Sequence, residues 1–109
     1  VNKVLRHKEN YPSREYPFVS KRQRDRAQYE YSQKKEFLRR LLWKEQTNCF
    51  YCDKVLRLNN YNIDHKIPLC RGGNNEPANL VLTCGDCNDK KGWLTAEEFL
   101  NLKQIEGII

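Results

Sequence analysis

The chain has no methionine, no apolar run approaching the length of a membrane span, and no signal-peptide pattern at its start. It opens on Val, so either an initiator has been removed or the 109 residues are a segment of something longer. It also has little to build a core with: hydrophobic residues make up 39% and the mean hydropathy is −0.91. There is no internal repeat and no low-complexity tract. These absences set aside a spanning helix, a secreted context and a repeat array. They leave one small domain, expected in a reducing, cytoplasmic compartment and in need of a staple.

The cysteines are the first candidate for that staple. Four of the five fall into two C-x-x-C pairs, Cys49/Cys52 and Cys84/Cys87. A two-residue spacer lets both thiolates of a pair reach one ion, and two such pairs make a tetrahedral four-sulfur site that suits structural zinc. An iron site and a redox dithiol are the alternatives. A closed four-sulfur shell would do no chemistry; it would hold the fold together. Cys70, the odd one, reads as a spare thiol.

The net charge of +6 is uneven. Residues 1–48 carry 13 Lys and Arg against 6 acids, whereas 49–92 are close to balanced and 93–109 are acidic. A basic N-terminal half is the footprint of a segment that neutralises phosphates, although a solvated helix face has the same composition. Pro12 and Pro17, with Tyr11, Tyr16 and Phe18 among basic residues, predict an extended arm over 1–19. From Ser20 to Gln46 there is neither glycine nor proline. Ser20 and Gln23 have the form of a capping box, and Phe37, Leu38, Leu41 and Leu42 suggest an apolar stripe, continued towards the start by Ala27, Tyr31 and Lys34. One helix is predicted over about residues 21–46 (segment 20–46), with Lys21, Arg22, Arg24 and Arg26 in its first half. After the first cysteine pair, "KVLRL", "IDHKIPL" and "LVLTC" predict strands, "GDCNDKKG" a short helix, and "TAEEFLNLKQIEG" a last helix capped by Thr95 and Glu98.

Within "IDHKIPL" a carboxylate and an imidazole stand side by side. Asp64 is a hard oxygen ligand suited to magnesium or manganese, and His65 has an ordinary pKa near about 6.5, the range of a general base at neutral pH. Neighbouring strand residues point to opposite faces, so the two can serve one reacting group only by flanking it. Asn88, directly after the last cysteine, can offer an amide oxygen to the same ion. Asn79 can bond loop backbone and hold the "RGGNNEP" loop over the His65 strand. Arg71, Lys90 and Lys91 are candidates for phosphate contacts. Each residue alone has an ordinary structural reading; together they describe phosphodiester hydrolysis.

The pieces "CFYC", "IDHKIPLCRGG", "NLVLTCGDCN" and "KKG" resemble the HNH nuclease family, in its four-cysteine form. The resemblance covers residues 49–92 and implies a ββα-metal core with a structural four-cysteine zinc; with the long basic helix read before it and the short helix read after it, the expected fold is α+β and the nuclease domain is expected over 47–109. It implies that His65 is the general base, Asp64 and Asn88 ligate the catalytic ion, and Asn79 orients the loop and the base. Asn88 makes the chain an H-N-N type, which favours magnesium or manganese at the catalytic ion. The implied activity is metal-dependent endonucleolytic hydrolysis of DNA, double-stranded, leaving a 5′-phosphate, with a monomer nicking one strand and a dimer or larger complex needed to cut both. A prokaryotic or phage setting is expected. The other readings are a non-catalytic nucleic-acid-binding zinc module, and the nuclease domain of a larger phage, restriction, homing or CRISPR effector.

Overall fold

A computed structural model of the chain describes residues 15–106. The first fourteen residues of the predicted arm, Tyr11 and Pro12 among them, lie outside the described residues, as do 107–109. Helix α1 spans Lys21–Trp43, strand β1 Asn62–His65, strand β2 Leu80–Thr83, helix α2 Gly85–Lys91 and helix α3 Ala96–Glu106. Single 3-10 turns at Leu69–Arg71 and Pro77–Asn79 shape the loop between the strands. The two strands and α2 form the predicted ββα core, with a helix on either side in sequence.

Local chemistry explains where the helices start. The Ser20 hydroxyl accepts from the Gln23 amide at 3.2 Å, which satisfies one of the unpaired donors of the α1 N-terminus. Before α3 the box is complete: Glu98 N donates to Thr95 Oγ1, and Thr95 N donates to Glu98 Oε1. α1 ends earlier than predicted, at Trp43, and the residues beyond it take another role. The Gln46 side chain accepts from Leu82 N at 3.0 Å and donates to Leu82 O at 2.7 Å. An amide side chain thus stands in for a neighbouring strand and blunts the outer edge of β2. Phe50 N also donates to Leu82 O, which fastens the first cysteine turn to the same edge.

β1 and β2 pair antiparallel, with Asp64 opposite Val81 and His65 opposite Leu80. All four residues of β2 are buried, because α1 and the cysteine turns cover it. Tyr31, Leu38 and Leu42 of α1 join Leu56, Leu69, Leu80, Leu82, Leu94 and Phe99 in one core that also contains three of the cysteines. Three predictions need correction. Phe37 is 65% exposed: it sits about 100° round the helix from Leu38, off the buried stripe. "KVLRL" forms only isolated bridges, Asn48 to Val55 and Arg57 to Asn60, and Val55 and Leu58 remain exposed. The predicted "IDHKIPL" strand stops at His65, and Pro68 then caps the first 3-10 turn.

Candidate active site and metal centre

The two cysteine turns bring four sulfurs together. The Sγ atoms of Cys49, Cys52, Cys84 and Cys87 all lie within 4.8 Å of one another. Cys52 Sγ is 3.8 Å from Cys84 Sγ. A tetrahedral ion with Zn–S bonds of about 2.3 Å places its sulfurs about 3.8 Å apart, so the cluster has the dimensions of a zinc shell. Backbone amides point at the sulfurs in both turns: Tyr51 N at Cys49 Sγ and Cys87 N at Cys84 Sγ, each at 3.4 Å. Asp53 closes the first turn in the left-handed region at φ 65°, which Asp tolerates better than most residues. Burial alone would raise the Cys49 thiol, but amide hydrogen bonds from Cys84, Cys52 and Tyr51 bring it down to about 7. Burial and the neighbouring sulfurs push Cys87 up. Four thiolates this close need a cation to compensate their charge, and the cluster can hold zinc.

A cleft of about 270 Å³ opens on the other functional group of residues. Asp64 and His65 of β1, Asn88 and Lys91 of α2, and Arg24 and Gln28 of α1 line it. Asp64, His65 and Asn88, singled out from the sequence, therefore meet at one place. The pleat sends Asp64 and His65 to different partners. Asp64 is buried; its Oδ2 accepts from the Tyr51 hydroxyl at 2.7 Å and its Oδ1 lies 3.1 Å from Lys91 Nζ. His65 turns towards α1, where its ring packs edge-on against Tyr31 at 4.8 Å, and its Nε2 lies 2.9 Å from Asn75 Oδ1.

These contacts determine the imidazole tautomer. Asn75 Nδ2 donates to Ala27 O at 3.1 Å, and a carbonyl can only accept, so the amide nitrogen must face α1. The amide oxygen then faces His65 and can only accept, so Nε2 carries the hydrogen. In the neutral ring the lone pair is left on Nδ1. Burial lowers the His65 pKa from its ordinary value; the Asn75 contact and the Asp64 charge oppose this and Lys91 reinforces it.

A sequence model of the HNH endonuclease family matches residues 49–103. The chain belongs to the HNH endonuclease family. No curated protein matches it. The HNH match runs from the first cysteine to α3 and so takes in the four sulfurs, both strands, the loop and α2. The family implies a nucleic acid substrate and a nuclease-type function.

Outside the cleft the HNH loop is tied by Asn79. Its Oδ1 accepts from Ile67 N at 2.9 Å, and its Nδ2 donates to Ile67 O at 3.0 Å and Asn74 O at 2.9 Å. Gly73 sits tight beneath this clamp: a Cβ there would fall 1.7 Å from Ile67 O. Two expected phosphate contacts must be corrected. Arg71 is buried and forked onto Glu98, at 2.5 and 3.0 Å, while also donating to Tyr16 O and Trp93 O. Lys91 is 1% exposed, paired with Asp64 and donating to His65 O at 3.0 Å. Buried cations need such partners, and neither side chain is free to meet a phosphate. Lys90, one residue earlier, is exposed. Among the basic residues of α1, Lys21 pairs with Asp25 and Arg26 with Glu30.

Three residues of the site had no signal in the sequence, Tyr51, Asn75 and Gln28, while Tyr31 was legible only as part of the apolar stripe. Tyr51 lies inside the first C-x-x-C, where its neighbours suggested only a turn. Burial and the Asp64 charge keep its phenol protonated and hence a donor. Asn75 was one of two adjacent asparagines in a polar loop, and only the fold shows which faces His65.

Proposed function

We propose that the protein is a metal-dependent endonuclease that hydrolyses DNA phosphodiester bonds, with His65 as the general base. The observation that carries this reading is the meeting of Asp64, His65 and Asn88 at one cleft, with the imidazole locked by Asn75 in the tautomer that leaves Nδ1 unprotonated. Nδ1 takes the proton from the attacking water. Asn79 holds the loop that carries Asn75, and so acts on the base through its support.

Asp64 and Asn88 would hold the catalytic ion. The donor set fits a hard cation: a carboxylate offers about four lone-pair sites, of which Tyr51 and Lys91 use two, and Asn88 adds an amide oxygen. Two protein donors leave most of the shell to water and phosphate oxygen, which suits magnesium or manganese. When bound, such an ion stabilises charge on the phosphate and on the leaving 3′ oxygen. Zinc on the four cysteines would brace the scaffold at a distance from this chemistry. With one cleft per chain, a monomer is expected to nick, giving a 5′-phosphate. A cytoplasmic setting keeps the four thiols reduced. Among the described residues no helix is long and apolar enough to cross a membrane.

A supercoiled-plasmid assay tests the reading. With added magnesium or manganese, the protein is expected to convert supercoiled to nicked circles, EDTA to stop it, and His65→Ala to abolish it. Cleavage by His65→Ala at the parent rate, or no cleavage by the parent in any divalent metal, would overturn the proposal and leave a binding module.

A further inference from the structure

α1 presents two differently charged sides. Taking 100° per residue, Arg24, Gln28, Lys35 and Arg39 fall within about 60° of one another, along one edge of the buried stripe. Arg22, Arg26 and Arg40 lie about 160° from Arg24, facing away from the cleft. The ion pairs divide the same way only towards the C-terminal half of α1, since Arg24 on the cleft side lies 3.8 Å from Asp25. Arg26 and Arg40 on the outer side each have a helix carboxylate within reach, Glu30 and Glu36. On the cleft side, Lys35 and Arg39 have no acidic partner among the described residues.

Those two cations rest on aromatic rings instead. Lys35 Nζ lies 5.9 Å from the centre of the Tyr31 ring, the same ring that packs against His65. The Arg39 guanidinium lies 5.0 Å from the Tyr61 ring, and Tyr61 stacks on Trp43 at 5.1 Å and 19°. Aromatic support holds a cation in place without neutralising it. Lys35 and Arg39 thus leave the far half of this edge unneutralised, and the edge leads to the cleft, where Gln28 and the Asp25-paired Arg24 stand beside Asp64 and His65.

We propose that this edge is a track for the phosphate backbone of duplex DNA entering the cleft, with Lys35 and Arg39 as its principal cations. The track runs about 22 Å from Arg24 to Arg39, about six base-pair steps measured along a duplex axis. The proposal rests on the nuclease reading of the cleft, but it concerns binding and is tested without turnover.

The test compares two charge-matched double variants on the same helix, in a His65→Ala background, by fluorescence anisotropy with a labelled DNA duplex across a salt series. Lys35→Gln with Arg39→Gln removes the track's principal cations; Arg26→Gln with Arg40→Gln removes the same charge from the outer side. The track pair is expected to weaken binding on the order of tenfold and to reduce the slope of log K against log salt by about 1.8, and the outer pair to change both far less. Arg39→Lys keeps the charge but loses the guanidinium held over the Tyr61 ring, and should fall between. Equal losses from both pairs, absence of DNA binding, or tighter binding of an RNA duplex of the same length would overturn the proposal. If the parent binds through the track yet cleaves nothing in any metal, the nuclease reading fails and the track stands.

Discussion

The Nε2 atom of His65 and the Oδ1 atom of Asn75 lie 2.9 Å apart, and the other end of the same amide is fixed to Ala27 of the first helix. One side chain thereby sets the ring's tautomer and ties the proposed base to α1. Asn75→Ala removes both contacts. The ring is then free to turn, and kcat should fall by about tenfold to a hundredfold with a smaller change in KM, since misplacing a reacting group by about 1 Å costs that much.

The pH profile gives a second, independent readout of the same contact. Burial lowers the His65 pKa, so the neutral base persists below pH 6.5 and the acid limb of cleavage should lie below that value. A bound cation would shift it the same way. Asn75→Asp places a negative charge against Nε2, favours the imidazolium, and should move the acid limb upward. An unchanged limb in that variant would show that Asn75 does not act through the ring.

Arg71 is expected to behave as a structural residue. Its guanidinium is buried with the Glu98 carboxylate and ties Tyr16, Trp93 and the start of α3 together. Arg71→Gln strands that carboxylate and should destabilise the fold by about 3–5 kcal/mol in urea denaturation. At temperatures where the variant is folded, the salt dependence of its DNA binding should match the parent's. A slope lower by about one would instead return Arg71 to the phosphate-contacting set.

Two glycines, one in the loop and one in α2, separate a steric requirement from mere flexibility. A Cβ at residue 73 would collide with Ile67 O, inside the clamp made by Asn79, so Gly73→Ala should cost about 1–3 kcal/mol and lower cleavage with it. Gly85, at the first turn of α2, has nothing within 4 Å of its Cβ position. Gly85→Ala should be neutral or stabilise by about 0.5 kcal/mol. Similar melting temperatures for the two variants would contradict this account of the loop.

Zinc removal gives a further test of the scaffold. The purified protein is expected to hold one zinc per chain. Cys84→Ser should lose the metal and the cooperative melting transition, because a structural zinc supplies much of a small domain's folding energy. Cys70→Ser should keep both, since Cys70 lies outside the cluster.

What could be read from the sequence was what local chemistry or a short spacing encodes. Ser20 with Gln23, and Thr95 with Glu98, each cap a helix within one turn, and the sequence carries the whole interaction. The two C-x-x-C pairs announce themselves for the same reason. The adjacency of Asp64 and His65, with Asn88 after a cysteine, located the cleft. What stayed hidden was chiefly tertiary. Gln46 covers the edge of β2 from 36 residues away, and Arg71 finds Glu98 across 27. Whether a lysine beside a helix end is buried cannot be judged from its neighbours, so Lys90 and Lys91 looked alike although only one is exposed. "KVLRL" had strand-forming residues but no partner strand to pair with.

The most direct measurement is a crystal of the parent protein grown with manganese and mapped by anomalous scattering at the manganese and zinc edges. The account requires a manganese peak between Asp64 and Asn88, about 2.1 Å from an oxygen of each and beside the imidazole, with a separate zinc peak among the four cysteine sulfurs. Zinc in the sulfur cage with no manganese between Asp64 and Asn88, and Lys91 still occupying the carboxylate, would contradict it.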